Sequence, residues 1–301
     1  MFKDRIVNYY IDKSMEYGHN HLNKKAIDCV DKILFLDKNN ARALSFKGLY
    51  YAFLFEKEKS FECFSEILKN NPDDVHCYYR KGLACMELEK YEQAINCFKK
   101  VLDVDPHHPI VLRYISSCYL YLEEYDLAFN SINDVLKEDM ENPELLLSLS
   151  LYYDVLEMYD ESLNILNKII EKNPNEDNAL LQMAIVYRNQ EMYDDALKYI
   201  ELALNINADC IVSKSIKYNL LAYVGDFEHS LQGFDEISKT YFDGWGVIES
   251  YYSYYGESLE VMGKYEDALK VYDEYLEKYP NFPKKMIENM KTDVKKLIKQ
   301  C

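Results

Sequence analysis

The sequence predicts an all-α array of helical hairpins, and three observations predict it. Residues 75 to 106, VHCYYRKGLACMELEKYEQAINCFKKVLDVDP, spell two amphipathic segments on either side of a short polar turn at Leu88, Glu89 and Lys90. The same spelling returns every 34 residues along most of the chain. Strand-like alternation and long linkers are absent, so turns fall only where the period demands them. A single hairpin of this kind has too little core to fold alone, and the array supplies its neighbours.

Within residues 75 to 106, Gly82 in the first segment and Ala94 in the second are small where a large side chain would hold two helices apart. Tyr78, Cys85, Tyr91, Phe98 and Val101 surround them at the spacings of one helix face. Pro106 ends the second helix, because its ring and missing N–H cannot continue one.

With Val75 as position 1, units begin at Val7, Ala41, Val75, Pro109, Pro143, Asp177 and Ile211, and an eighth begins at Glu249 after four extra residues. Position 8 reads Ser14, Gly48, Gly82, Ser116, Ser150, Ala184, Tyr218 and Gly256, small in seven of eight. Position 20 reads Ala26, Ser60, Ala94, Ala128, Ser162, Ala196, Ser230 and Ala268, small in all. Three residues earlier stands an aromatic in six units, from Tyr91 to Tyr265, and apolar residues follow four and seven later, from Val30 and Ile33 to Tyr272 and Tyr275. Proline closes four units, at Pro72, Pro106, Pro174 and Pro280.

This pattern resembles the tetratricopeptide repeat family, whose unit carries a small residue at position 8, Ala at 20 and Pro at 32. The resemblance covers residues 7 to 280. It implies a right-handed α-α superhelix, a solenoid of about eight repeats whose first helices line a concave groove, and the whole of residues 1–301 is expected to form one such domain. The seventh unit is the weakest interior one, with Lys214, Lys217 and Tyr218 where large, large and small residues are expected, so its first helix is expected to be rotated or shifted. Residues 242 to 246, Phe-Asp-Gly-Trp-Gly, read as an insertion containing the single tryptophan, Trp245, whose role in packing or in anchoring a partner stays open. Residues 284 to 300 read as a capping helix, with Met286, Met290, Val294 and Leu297 on one stripe and six lysines on its outer face.

Composition narrows the function. Apolar residues at 49% support a substantial core, and a net charge of -17 repels a phosphate backbone and an anionic membrane alike. No run approaches the length of a membrane span, and the start, MFKDRIVNYY, lacks the apolar stretch of a signal peptide. Eight cysteines without a Cys-x-x-Cys pair suit neither a zinc site nor a disulfide framework, and Cys29, Cys63 and Cys97 recur 34 residues apart as a small slot in successive units. A reduced, cytoplasmic protein is therefore expected.

No phosphate loop, dinucleotide fingerprint or nucleophile–base arrangement is present, so no enzyme activity, cofactor or metal is expected. His19 and His21 lie in a polar turn, and His107 and His108 read as an inter-repeat loop, neither pair with a third ligand in its neighbourhood.

The resemblance places positions 2, 5, 9, 12 and 13 of each unit in the groove. That implies His76, Tyr79, Leu83 and Met86, then Arg113, Leu120 and Tyr121, then Leu147, Leu151 and Val155, then Leu181, Ile185 and Arg188. The strip is apolar for a solvated surface, and such strips mark interaction sites. Some relatives clamp a C-terminal carboxylate with Lys and Asn at positions 5 and 9; no unit here carries that pair, and only His76 and Arg80 resemble the clamp's last part. The expected function is a scaffold that receives a segment of a partner protein in its groove, with Arg113 and Arg188 orienting it. The alternative is a self-associating or regulatory subunit, a homo-oligomer joined through the groove or a terminal helix.

Overall fold

A computed structural model describes residues 2–138 and 141–300, and among them every regular element is a helix. The chain forms two compact units, residues 1–169 and 170–301. The first contains α1 (Phe2–His19), α2 (Asn23–Leu36), α3 (Ala41–Phe53), α4 (Lys57–Asn70), α5 (Val75–Glu87), α6 (Tyr91–Leu102), α7 (Pro109–Tyr121), α8 (Tyr125–Glu138), α9 (Pro143–Val155) and most of α10 (Tyr159–Lys172). The second contains α11 (Asp177–Asn189), α12 (Tyr193–Ile206), α13 (Ile211–Tyr223), α14 (Phe227–Ser238), α15 (Trp245–Val261), α16 (Tyr265–Lys278) and α17 (Lys285–Gln300).

The phase read from the sequence fixes where these helices start. Six of the eight first helices begin at position 1 of their unit, and every second helix begins at position 17, from Asn23 to Tyr265. Local chemistry sets the starts. Asn40, Asp74 and Asn142 accept hydrogen bonds from the backbone N–H three residues on, and Pro109 and Pro143 occupy first-turn positions where no N–H is needed.

Within the first unit α3 packs on α4, on the preceding α2 and on the following first helix α5, and α7 repeats the arrangement with α8, α6 and α9. In the second unit α13 packs on α12, α14 and α15. The crossing is built as the pattern requires. All eight residues at position 20 are completely buried, and so are all eight at position 24, from Val30 through Phe64, Phe98 and Phe234 to Tyr272. At Gly82 a Cβ would stand 2.5 Å from the Phe98 ring, and at Gly48 2.8 Å from Phe64, so each ring of the second helix lies directly against the backbone of the first. Seven positions later than position 20 the same burial holds for Ile33, Ile67, Val101, Ile169, Ala203, Ile237 and Tyr275; the side chain of the fourth unit's Val135 lies outside those described.

Each hairpin turn passes through one left-handed residue at position 15: His21, Phe55, Glu89, Glu123, Glu157, Glu191, Gly225 and Gly263, with φ between 52° and 86°. There the first helix closes with paired backbone bonds, as in Glu89 N–H to Met86 O and Lys90 N–H to Cys85 O, which satisfy carbonyls that the helix end leaves free. Six of the eight are not glycine, a substitution that the conformation disfavours.

Three sequence expectations are revised. The seventh hairpin keeps its phase, because the bulky Tyr218 at position 8 meets Gly233 at position 23, where a Cβ would lie 2.2 Å from the tyrosine ring. Position 23 is the slot of Cys29, Cys63 and Cys97, and the Cys63 Cβ comes within 3.2 Å of where a Cβ on Gly48 would be, so the two positions face each other in both hairpins. The large and small partners have exchanged helices. Lys214 and Lys217 reach out of the core to Asp209 and Glu201, at 3.8 and 3.0 Å. The four extra residues before the eighth unit are one added helical turn: α15 starts at Trp245 and runs 17 residues, against 13 for α13. Phe242 packs on the ring of Tyr251 at 5.9 Å, closing the loop against the core. Finally, α17 turns Ile287, Met290, Val294 and Ile298 inward, while Met286 and Leu297 are exposed; steps of three and four from Ile287 hold to the 3.6-residue period.

Candidate partner-binding surface

The first helices present two kinds of surface. In the first unit, Tyr79 on α5 lies against Phe98 at 6.4 Å and Tyr114 at 6.3 Å, and burial pushes its phenol up to about 12. The Arg113 guanidinium covers the Tyr114 ring at 4.4 Å, and its Nε stands 2.7 Å from Glu144 at the start of α9. Leu83 and Met86 are half-buried on the flank of the third hairpin's core. Tyr121 is 65% exposed yet lies flat on Tyr91, with centroids 4.8 Å apart and planes 7° from parallel. Leu147 and Leu151 are half-buried on α9, and Val155 is exposed. Leu120, about 100° round the helix from Tyr121, is buried in the core and so lies off the groove where it was expected.

In the second unit, Leu181 and Ile185 are half-buried against the cluster of Ala184, Ala196, Ile200, Ile216 and Leu220. Arg188 is fully engaged. Its guanidinium donates two hydrogen bonds to the Glu257 carboxylate at 2.7 and 2.8 Å, and Nε donates to Asn219 Oδ1 at 3.1 Å. Tyr223 donates to the same carboxylate at 2.6 Å, and Asn219 donates to Ser258 at 3.2 Å. The group thus ties α11, α13 and α15 together. The rings of Tyr223 and Tyr254 flank the guanidinium at 5.9 and 5.4 Å. Tyr223 stacks on Tyr193 at 4.5 Å, at the same pair of unit positions as Tyr121 on Tyr91. Sequence reasoning missed Tyr223, Asn219 and Glu257; the aromatic at position 17 followed by one at position 13 of the next unit was the available signal.

His76 is exposed on α5 and lines a cleft of about 330 Å³ with Arg42 and Ser45 of α3 and Asp74 and Arg80. The Arg80 guanidinium lies over the Phe46 ring at 4.1 Å and donates to Ser45 Oγ at 3.1 Å. Burial and the charge of Arg42 both hold the Arg80 pKa below its usual value.

Among the described residues there is no cluster of three or more His, Cys, Asp or Glu side chains that could hold a metal, and no helix is long and apolar enough to cross a membrane. Seven described cysteines are free, six of them buried.

Three segments match the tetratricopeptide repeat family: residues 76–108, 165–198 and 252–281. No curated protein matches the chain in sequence. Among solved structures, a tetratricopeptide repeat protein from Parabacteroides merdae is similar over 96% of this chain and 99% of its own, with TM-score 0.57 and 16% identity. The human IFIT1 dimer with m7Gppp-AAAA is similar over 95% of this chain and 72% of its own, with TM-score 0.68 and 13% identity. A thermophilic repeat protein of Thermus thermophilus is similar over 65% and 98%, with TM-score 0.50 and 19% identity. At these identities the likeness is one of fold, the α-α superhelix class. With its hairpins built on one repeating pattern and three segments matching by sequence, the chain is a tetratricopeptide repeat protein.

Proposed function

We propose that this protein is a non-catalytic scaffold that receives a segment of a partner protein along the faces of its first helices. The observation that carries this reading is the aromatic and aliphatic surface left open in the first unit. Tyr121 and Val155 are 65% and 42% exposed at the same position of consecutive hairpins, beside half-buried Leu147 and Leu151. Stacked tyrosines lose little conformational freedom when covered, and interface cores are enriched in such residues. In the second unit, Leu181 and Ile185 form a separate half-buried apolar strip. Arg113 and Arg188 would act by holding those faces in shape rather than by pairing with the ligand, since each already has a carboxylate partner. The buried free thiols suit a reducing compartment such as the cytoplasm.

The test is recovery of partners by the full chain and by Leu147→Glu and Leu151→Glu variants that retain the native helical signal and melting behaviour. Loss of partners from the variants supports the reading; an unchanged set of partners removes this surface as the site. A second reading, self-association, rests on Met286 and Leu297, exposed on α17 with the inward face already filled. Light scattering of the full chain and of a Met286→Lys, Leu297→Lys variant separates it: a monomer in both cases excludes self-association through this helix.

A further inference from the structure

The cleft between α3 and α5 gathers positive charge on an otherwise acidic chain. The chain has a net charge of -17, yet two guanidiniums, Arg42 and Arg80, and the imidazole of His76 converge on one opening of about 330 Å³. Arg42 and His76 occupy the same unit position on consecutive first helices, and Arg80 stands one turn further along α5. Among the described residues neither guanidinium has a carboxylate within ion-pair distance. Arg42 donates to the neutral amide oxygen of Asn8 at 3.1 Å, and Arg80 donates to the hydroxyl of Ser45 at 3.1 Å. The one acid lining the cleft, Asp74, caps the start of α5, accepting from Cys77 N–H at 2.8 Å, and its charge offsets part but not all of the positive charge gathered there.

Arg80 is also held in a defined plane. Phe46 lies under its face at 4.1 Å, and Ser45, which itself donates to the Arg42 carbonyl at 2.9 Å, takes one of its N–H groups. The remaining N–H groups lie in the guanidinium plane, the geometry that grips two oxygens of one anion. A half-buried cation fixed in this way beside a second cation is unfavourable for folding unless an anion compensates for it. Arginines with a purely structural role normally resemble Arg188, closed by a carboxylate; these two are left open.

We propose that this cleft binds the phosphoryl group of a phosphorylated side chain on a partner peptide, with Arg80 and Arg42 pairing with its oxygens and His76 at the mouth. Two guanidiniums call for a dianion, which a phosphoryl group supplies and a single carboxylate does not. The chain's net charge of -17 disfavours a polyanion and favours one anionic group on an otherwise neutral or basic segment. The proposal rests on the scaffold reading and names the chemistry of one end of the partner. It stands apart from the apolar surface on α7 and α9 and can fail separately.

The experiment is titration of the full chain, at low and at 0.5 M salt, with a fluorescently labelled, C-terminally amidated peptide of alanine and lysine carrying a single phosphoserine. The controls are the same peptide with serine, with glutamate, and with serine and a free C-terminal carboxylate. The phosphopeptide is expected to bind at least tenfold more tightly than the serine and glutamate peptides and to weaken at high salt. Inorganic phosphate is expected to compete. Arg80→Gln and Arg42→Gln should each reduce binding at least tenfold. Arg42 is exposed, so its replacement tests the site without disturbing the core. Leu151→Glu should leave phosphopeptide binding in place even where it removes protein partners, which separates this proposal from the scaffold reading. Equal binding of the serine and phosphoserine peptides, no binding by the intact protein, or full binding by a folded Arg42→Gln variant overturns it. Preference for the free-carboxylate peptide overturns it too, by assigning the cleft to a chain terminus.

Discussion

The exchanged pair in the seventh hairpin predicts a mutation whose sign depends on its background. A Cβ on Gly233 would lie 2.2, 2.3 and 2.4 Å from three atoms of the Tyr218 ring, far inside contact distance, so Gly233→Ala must displace the ring. The ring has little room to move, since Phe234 packs edge-on against it with centroids 5.9 Å apart. Overpacking of this kind costs about 1–3 kcal/mol, against which alanine gains about 1 kcal/mol over glycine within a helix. The net is a loss of up to about 2 kcal/mol, by the same principles. Tyr218→Ala alone empties the slot and costs about 2–3 kcal/mol, below the range for a fully buried aromatic because Tyr218 is only half-buried. In that background the clash is gone, and Gly233→Ala keeps only its helical advantage, so it should stabilise by about 1 kcal/mol. The coupling between the two sites is then about 1–3 kcal/mol, the overpacking cost itself and within the range for residues in contact. Urea unfolding of the four proteins, followed by the helical signal, measures it. If Gly233→Ala has the same effect in both backgrounds, the two residues do not share one slot and the account of this hairpin is wrong.

Gly82→Ala should destabilise by about 1–2 kcal/mol, because its Cβ would press 2.5 Å from Phe98 between helices that already touch; thermal unfolding measures it, and an unchanged midpoint contradicts the crossing. Glu123→Gly should instead stabilise by about 1 kcal/mol, by relieving a left-handed backbone at φ 61° and removing an acid from a helix C-terminus, and the same scan reads the sign. Burial raises the Glu260 pKa despite the hydrogen bond donated by Tyr272, so the folded protein holds this proton where the unfolded chain has lost it. Stability from this group is therefore present at acid pH and declines as pH rises from the ordinary glutamate range through the raised folded value. Glu260→Gln should flatten that decline and be the more stable protein at neutral pH; urea unfolding at pH 4 to 7 checks it, and parallel pH profiles refute it.

The features legible in the sequence were those that repeat one residue at a time. Small residues at positions 8 and 20, large ones at 24 and prolines at unit boundaries each report their own environment, so the phase and the helix starts followed from counting. The Tyr218–Gly233 exchange did not, because it is a property of a pair on two helices and either residue alone looks like decay of the pattern. The turn residue was hidden for another reason: the left-handed position is imposed by backbone closure, and Glu89, Glu123, Glu157 and Glu191 give no sign of it by type. The insertion misled because four residues make one helical turn, which adds length to α15 without adding a loop. The candidate groove residues were readable as positions on a face but not as contacts. Arg188 looked available, and Glu257, which engages it, stands 69 residues away.

That distance has a consequence for how the array comes apart. In a stack where each repeat touches only its neighbours, the free energy is a sum of nearest-neighbour terms, and the terminal repeat can fray while the next stays closed. Arg188 belongs to the sixth hairpin, Asn219 to the seventh and Glu257 to the eighth, so one bidentate pair reaches across a hairpin that sits between its ends. Opening the eighth repeat strips the sixth of its counter-ion and leaves a half-buried guanidinium with no compensating charge. The pair therefore adds a coupling that skips a repeat: whatever opens the eighth hairpin also weakens the sixth, which a purely nearest-neighbour stack would not feel.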